Sequence, residues 1–344
     1  MPELAKRFLY GSGALGLYHR LRNADTLTVA TFHRVLDPRD PRWQSCDPDY
    51  TLSTGLLAHS LAFFKRHYNV VSLGQVLAAR RGQAPLPPRA LLISLDDGWA
   101  DNAEFALPEL RRAGLPAVLF VVADAVGRRQ PFFQEQLVAA WRRGRLELAE
   151  LAASLRAHAP DAGGETADDR GAEDLQALRT LIARLEALGP AQLDAVLAPF
   201  AAVLDDDLRH MVDVQDLQHL LRGGVALGLH GKTHAALTGV ADLESELAGA
   251  RSALAGQLGS AEPVGEAMSF PHGAHDTVVA QRVRESGYEL AFTSVPVLNP
   301  ARPGPGWLLG RTGFETDTVV DSRGRFRPER LALYLFRREQ RRLA

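Results

Sequence analysis

Several side chains able to bind a metal or move a proton stand directly after apolar segments of this 344-residue chain. Asp96 and Asp97 follow the segment LLISL, and Gly98 comes next. His230 ends VALGLH, and His234 stands four residues further on. On a tight turn, two imidazoles at this spacing can bind one cation, and one carboxylate completes a facial set of ligands. These residues therefore predict a metal site, although HxxxH on an arbitrary helix is more often a pair of surface histidines.

The adjacent aspartates suggest two different roles. At the junction between a strand and a loop, both side chains can reach one pocket, so one can bind the metal while the other takes a proton from water. A divalent ion held in this way lowers the pKa of a bound water from about 15.7 to about 7 and polarises a carbonyl group. The alternative is that one aspartate caps the following helix, because Asp-Gly with Asn102 nearby resembles an ordinary turn.

Two further apolar segments end in the same way. His33 ends TLTVATFH, and the turn Pro271-His272-Gly273 follows AMSF. Loops that leave the carboxyl ends of parallel strands converge at one edge, where α/β barrels and open α/β sheets build their sites. Four such endings in one chain predict one common site.

The apolar segments themselves are predicted to be buried strands, because they are short, continuous and rich in β-branched residues. They are TLTVATFH (26–33), ALLISLDD (90–97), PAVLFVVA (116–123), VALGLH (225–230), EAMSFPHG (266–273) and ELAFTS (289–294). Stretches of helical periodicity, each ending at or near a glycine, lie at Ala103–Ala113, Asp242–Leu258 and Asp276–Glu285. This alternation predicts an α/β fold with a mainly parallel sheet, either open or closed into a barrel.

Residues 134–223 have a different pattern, in which leucines recur at helical spacing on both sides of a Gly-Pro pair. We predict a helical insertion here, between the two parts of the α/β domain at 26–133 and 224–325. Within it, residues 159–174 are small, acidic and without periodicity, which is typical of a mobile loop.

The composition excludes several classes of protein. Hydrophobic residues are 46% and charged residues 23%, as in globular proteins that bury a sizeable core. The formal net charge of -2 argues against a nucleic-acid binder held by phosphate contacts. The single cysteine, Cys46, excludes an intramolecular disulfide and a multi-cysteine zinc site, so a metal would depend on histidines and carboxylates.

The two ends of the chain are predicted to be helical. Residues 1–25 carry Lys6 and Arg7 before a short apolar stretch, but no small-residue cleavage site follows. We expect this segment to pack on the domain or to lie on a membrane surface, and no apolar run approaches the roughly 18–20 residues that span a bilayer. A location in the cytoplasm or peripheral to the inner membrane face is therefore favoured over secretion. Residues 326–344 are assigned to a C-terminal helix.

SLDDG, HGKTH and SFPHG, in this order and at strand ends, resemble the signature motifs of the NodB-homology polysaccharide deacetylases. The resemblance runs from about Thr26 to Phe314, and the helical insertion conforms least. It implies that the protein is a metal-dependent carbohydrate esterase with a distorted (β/α) barrel fold.

The resemblance also implies a role for each motif residue. Asp96 would be the general base and Asp97 the metal-binding carboxylate, with His230 and His234 as the other protein ligands. The implied cofactor is one divalent ion. Zinc is the first choice, although cobalt, nickel, manganese and iron also accept two histidines and one aspartate.

The third motif is expected to line the pocket. Its residues are Pro271, His272 and Gly273, and a backbone N–H near His272 would help to hold an oxyanion. His272 stands where the family usually has tyrosine, which leaves the role of its side chain open. Trp99, directly after DDG, is predicted to flank a sugar ring, and its alternative is ordinary packing of the loop.

Two departures from the family pattern lead to further predictions. Ser269 stands where the motif often has an arginine that orients the base, and we predict that Arg311, in LLGRTGF, reaches Asp96 instead. Many members carry a catalytic histidine on a late strand, but no histidine follows His275. TFHRVLDP resembles a permuted, exopolysaccharide-type branch with that histidine on an N-terminal strand. His33 is therefore the predicted general acid, and its alternative is a buried core histidine.

The activity implied by the resemblance is hydrolytic N-deacetylation of an N-acetylated amino-sugar polymer or glycan, of the exopolysaccharide or cell-wall type. The expected partner is a carbohydrate, and no nucleic acid is expected. A hydrolase of a non-sugar amide on the same scaffold and a catalytically inactive carbohydrate-binding relative stay open as alternatives. A mononuclear iron oxygenase is disfavoured, because its HxD or HxE ligands normally lie on a jelly roll rather than on an α/β fold.

Overall fold

The structure, a computed structural model, describes residues 2–160, 174–259, 264–301, 306–314 and 316–343. Most of the predicted mobile loop at 159–174 lies outside these residues. All six predicted strand segments contain a strand. The strands are β1 (Thr26–Phe32), β2 (Arg34–Leu36), β3 (Thr51–Ser53), β4 (Asn69–Val70), β5 (Ala90–Leu95), β6 (Ala117–Val121), β7 (Val225–Leu229), β8 (Ala267–Ser269), β9 (Leu290–Thr293), β10 (Asn299–Pro300), β11 (Leu308–Gly310) and β12 (Thr312–Gly313).

Helices alternate with these strands. They are α1 (Glu3–Gly11), α2 (Ala14–Arg22), α3 (Thr54–His67), α4 (Leu73–Arg80), α5 (Leu107–Ala113), α6 (Phe133–Arg142), α7 (Leu148–His158), α8 (Leu175–Glu186), α9 (Pro190–Leu197), α10 (Ala201–Leu204), α11 (Val214–Arg222), α12 (Ala250–Leu258), α13 (Thr277–Glu285), α14 (Thr316–Val319) and α15 (Pro328–Phe336). Single π-turns, Asn102–Ala106 and Ser245–Gly249, lead into α5 and α12.

All the strands except β2 and β3, which pair only with each other, form a nearly closed, mainly parallel sheet, as the predicted barrel requires. The order is β10-β1-β5-β6-β7-β8-β9-β11, and β10 is antiparallel to β1 while the other pairs are parallel. β11 pairs with β9 at one edge, and β12 pairs with β1 at the other. Because only Arg311 separates β11 from β12, this short segment connects the two edges of the sheet. The predicted distorted (β/α) barrel is confirmed.

Successive side chains of each strand point to opposite faces of the sheet, and this alternation produces two apolar layers. Leu27 and Val29 of β1 pack in one cluster with Phe120 and Phe292, whereas Phe32 belongs to a larger cluster that includes the surrounding helices. Since both faces of the sheet are buried, the strand segments are continuously apolar. Strand ends are therefore the places where polar side chains can enter a pocket.

The chain divides into two compact units. The larger comprises Met1–Asp37, Pro48–Arg128 and Met211–Ala344, and the smaller comprises Pro38–Asp47 and Arg129–His210. Helices α6 to α10 of the smaller unit pack around their own apolar cluster. The larger unit resumes at residue 211 rather than at the expected 224, because apolar residues of α11 join the core of the barrel.

The terminal helices are shorter than the sequence suggests, and α15 has nine residues. Helix α1 buries no residue, whereas α2 buries Leu15 and His19. Among the residues that the structure describes, no helix is long and apolar enough to cross a membrane. Contact of the N-terminal segment with a membrane surface stays a prediction.

Candidate metal-dependent active site

The DDG sequence forms a sharp turn at the end of β5. The N–H of Asp96 still donates to the Phe32 carbonyl of β1, at 3.1 Å. Asp97 then has φ 76° and Gly98 has φ 86°. A side chain at Gly98 would lie 3.4 Å from Val121, so glycine suits both the conformation and the space. Neither aspartate caps the next helix, and both carboxylates are left to enter the pocket.

Asp97, His230 and His234 converge to form a candidate metal site. Asp97 Oδ1 lies 3.3 Å from Nε2 of His230 and 3.3 Å from Nε2 of His234. One ligand atom from each residue lies within 4.8 Å of the others, and within the described ranges this is the one such group of three or more. The structure thus brings together the three ligands that the resemblance implied.

The tautomer of His230 fits a metal ligand. Its Nδ1 lies 3.0 Å from the Ser269 carbonyl and 2.6 Å from the Ser269 hydroxyl. A carbonyl only accepts hydrogen bonds, so Nδ1 donates to Ser269, and Nε2, which faces Asp97, is the nitrogen that would bind a metal ion. This donor set of two imidazoles and one carboxylate suits a divalent first-row metal ion.

Arg311 reaches Asp96, as predicted from its place after an apolar segment. Its Nη1 lies 2.7 Å from Asp96 Oδ1, and its Nε donates to the Thr293 carbonyl at 3.2 Å. Both side chains of the ion pair are at most 5% exposed. Ser269, which replaces the motif arginine, donates its hydroxyl to the same Asp96 oxygen at 3.4 Å. An arginine at the seam of the barrel therefore pairs with Asp96.

The charges around the aspartates favour their ionised forms. Burial by itself raises the pKa of Asp96, but the positive charges of Arg311 and His230 outweigh it and hold that pKa below its usual value. Burial also opposes ionisation of Asp97, but hydrogen bonds from His230 and His234 hold its pKa well below the usual value. Both carboxylates are therefore available as anions.

A positive charge on His33 also contributes to holding the pKa of each aspartate below its usual value. Asp101 and Asn102, just beyond the DDG turn, hold the backbone around His33. Asn102 donates to the His33 carbonyl at 2.9 Å, and Asp101 accepts from the Val35 N–H at 2.8 Å. The side chain of Asn102 thus supports the site rather than a helix cap. Sequence patterning missed this, because the partners are more than 60 residues apart.

Tyr50 is a second residue that sequence reasoning missed. Its ring lies edge-on to His33, with 5.2 Å between the ring centroids. The side chain is 53% exposed, and outside the N-terminal helices only Val278 is a comparably exposed large hydrophobic residue among those described. An exposed aromatic beside the predicted acid can stack on a sugar ring. The sequence signal was weak, because Tyr50 lies outside the apolar segments.

The structure does not support the sugar-stacking role predicted for Trp99. This side chain is only 4% exposed, so its ring is not available to a substrate. Its indole N–H donates to Asp97 Oδ2 at 2.9 Å, and the guanidinium of Arg34 lies 4.5 Å from the ring centre. Trp99 therefore orients the second oxygen of the candidate metal ligand. The loop-packing alternative describes this geometry better.

The third motif forms the turn Pro271–Gly273 next to the histidines. His272 has φ 56°, and its ring lies 4.5 Å from the ring of His234. Its Nε2 donates to the His234 carbonyl at 3.1 Å. The Gly273 and Ala274 N–H groups close the turn on Phe270 and Pro271, so they are not the expected oxyanion donors. The oxyanion role of this turn stays a prediction.

Comparison with known proteins assigns the class that this fold and site define. The family model described as polysaccharide deacetylase matches residues 83–291, which is more than half of the chain. The chain therefore belongs to the polysaccharide deacetylase family.

Individual relatives are distant. A segment of 73 residues is 29% identical to YxkH of Bacillus subtilis, which carries the same family description, and covers 21% of this chain and 23% of that protein. The structure of IcaB from Ammonifex degensii is similar with a TM-score of 0.55 and 16% identity, over 91% of this chain and 98% of that one. The Streptococcus pyogenes deacetylase PplD, solved with acetate, has a TM-score of 0.56 and 12% identity, over 91% and 99%. At these identities the structural likeness shows the fold alone.

Proposed function

We propose that this protein is a metal-dependent hydrolase that removes N-acetyl groups from an amino-sugar polymer or glycan. The observation that carries the proposal is that a candidate metal site and a second, ionised carboxylate lie together at one end of the barrel. Asp97, His230 and His234 present ligand atoms within 4.8 Å of one another, and the adjacent Asp96 is ionised and paired with Arg311. The site that would hold a Lewis acid therefore lies next to Asp96, the proposed base.

In this proposal, Asp96 and His33 have separate roles in the hydrolysis of an amide. A bound divalent ion would polarise the acetyl carbonyl and lower the pKa of a water molecule. Asp96, held as an anion by Arg311, accepts the proton of the attacking water. His33 donates a proton to the departing amine. Zinc is the first choice for the ion, since it suits two imidazoles and one carboxylate, and cobalt, nickel, manganese or iron would fit the same donors.

The family and the rim of the site support a carbohydrate as the substrate. The structurally similar PplD is named a deacetylase and was solved with acetate, the product expected of this reaction. Tyr50 adds an exposed aromatic ring beside His33, on which a sugar ring can stack. An exopolysaccharide or cell-wall glycan fits these features better than a small non-sugar amide.

Acetate release separates this function from its two alternatives. Zinc-loaded protein is expected to release acetate from N-acetylhexosamine oligomers much faster than from a small non-sugar N-acetyl amide. The reverse preference would identify a small-amide hydrolase. Binding of the oligomers without acetate release would identify an inactive carbohydrate-binding relative.

Replacing Arg311 should impair the base without removing the metal. Arg311→Ala leaves the buried Asp96 without its ion pair, which is expected to destabilise the fold by about 3–5 kcal/mol. Arg311→Lys keeps a charge but not the two-point contact with Asp96 and Thr293, and we expect about a 10²-fold loss of kcat/KM. The pKa of Asp96 rises when its cation is displaced. As the pH is lowered, the variant should therefore lose activity at a higher pH than the wild type does.

The exposed Arg282, which pairs with Glu285, provides the control for this measurement. Arg282→Lys should leave the pH–rate profile unchanged. A wild-type profile and rate in Arg311→Lys would show that the ion pair does not orient the base.

Replacing Tyr50 should affect substrate binding rather than turnover. Stacking on an aromatic ring contributes about 0.5–1.5 kcal/mol, so Tyr50→Ala is expected to raise KM for the oligomers about two- to tenfold with little change in kcat. Tyr50→Phe should behave like the wild type, because it keeps the ring. Val278→Ala, at another exposed apolar position, is the matched control. An unchanged KM in Tyr50→Ala would exclude the stacking role.

A further inference from the structure

The turn between the two histidine ligands has an irregular backbone. Residues 231–233 contain no helix or strand, and His234 itself has φ 73°. Gly231 has φ 72° at the other end of the turn. A non-glycine residue in the left-handed region costs on the order of 1 kcal/mol or more, so the surroundings must hold His234 in this conformation.

Glu246 contacts this turn through both of its carboxylate oxygens. Oε2 accepts the backbone N–H groups of Lys232 at 2.8 Å and of Thr233 at 3.1 Å. Oε1 accepts the Thr233 hydroxyl at 2.6 Å. Glu246 is only 4% exposed, so these hydrogen bonds form away from bulk water, where bonds to a charged acceptor are strong.

A π-turn presents Glu246 to the histidine turn. Ser245–Gly249 is a single π-turn ahead of α12, and such an insertion shifts side chains out of the α-helical register. Leu247 is buried in the larger apolar cluster that includes the surrounding helices, while the preceding Glu246 faces the turn. The hydroxyl of Ser245, at the start of the π-turn, accepts a hydrogen bond from Lys232 Nζ at 3.3 Å, which is a second contact between the π-turn and Lys232. A Cβ at Gly231 would lie 3.1 Å from Glu246 Oε2, so the carboxylate and the turn fit closely.

We infer that Glu246 is a positioning residue for the metal site. It holds the 231–234 turn in the one conformation that points His230 Nε2 and His234 Nε2 at the same oxygen of Asp97. Glu246 acts through the backbone N–H groups of Lys232 and Thr233 and through the Thr233 hydroxyl. The inference rests on the proposed function in one respect, since it assumes that Asp97, His230 and His234 bind a divalent ion.

Zinc affinity of the full chain, measured by competition with a chromophoric chelator, tests this inference. Residues that orient metal ligands typically change affinity by about 10–100-fold when replaced, and we expect a loss of this size in Glu246→Ala. Glu246→Gln should lose less, because its amide oxygen can accept the two N–H groups while its nitrogen donates to Thr233. Thr233→Val removes only the hydroxyl contact and should give the smallest loss. Glu244→Gln, at an exposed position two residues away, should match the wild type.

A second readout separates positioning from simple stabilisation. The absorption spectrum of the cobalt-substituted protein should change shape in Glu246→Ala, because the geometry of the two imidazoles changes. Wild-type zinc affinity and an unchanged cobalt spectrum in folded Glu246→Ala would overturn the inference. If Glu246→Ala does not fold, wild-type affinity in both Glu246→Gln and Thr233→Val would overturn it. Absence of zinc binding by the wild type would instead contradict the proposed function.

Discussion

Asp97→Ala is expected to abolish divalent-metal binding. Asp97 Oδ1 lies 3.3 Å from both His230 Nε2 and His234 Nε2, so its loss leaves two imidazoles and removes the anionic ligand between them. Its other oxygen accepts the Trp99 indole N–H, and an unpaired buried donor costs about 1–3 kcal/mol. The variant should therefore be somewhat less stable but folded, and it should contain no zinc after dialysis.

Asp97→Asn provides the closest control for this result. It keeps an oxygen for Trp99 and the shape of the turn, but it removes the negative charge. We expect the stability of the wild type and strongly weakened zinc binding. Stoichiometric zinc in dialysed Asp97→Ala would show that the carboxylate is not a ligand and that the proposed division between the two aspartates is wrong.

Asp96→Asn is expected to keep the metal and to lose turnover. The amide has the size of the carboxylate and can still accept from Arg311, but it does not take a proton from water. Loss of a general base lowers the rate by about 10²–10⁴-fold, and kcat should fall by this amount for N-acetylhexosamine oligomers. KM should change little, since Asp96 is not a substrate-binding group in this account.

Zinc content, measured on the same protein, distinguishes this loss from a damaged metal site. Asp96→Asn should contain as much zinc as the wild type, in contrast to its neighbour Asp97→Ala. Turnover within a factor of a few of the wild-type value would contradict the role of Asp96 as the base.

The strand ends that carry the site could be predicted because they depend on local patterns. Each buried strand is a short apolar run, and the polar residue that ends it is visible in the sequence, as with Asp96 after LLISL. Parallel pairing then places these ends at one edge. The contact between Arg311 and Asp96 was also predicted, since the seam of the barrel brings two such ends together.

The supporting contacts could not be predicted, because they depend on the folded arrangement of distant residues. Whether Trp99 faces a substrate or the carboxylate of Asp97 depends on how its ring packs against Arg34, which no local pattern determines. The link from Glu246 to Thr233 depends on a π-turn within a stretch of ordinary helical periodicity. Residues 38–47 join the smaller unit although the sequence places them in the barrel domain, since tertiary contacts decide that assignment.

Acetate release and metal content, measured together on one preparation, test the central claim most directly. The zinc-loaded protein should contain about one zinc ion per chain and should release acetate from N-acetylhexosamine oligomers. Removal of the metal by a chelator should stop the release, and added zinc should restore both the content and the activity. Acetate release that continues after complete removal of the metal would contradict the account.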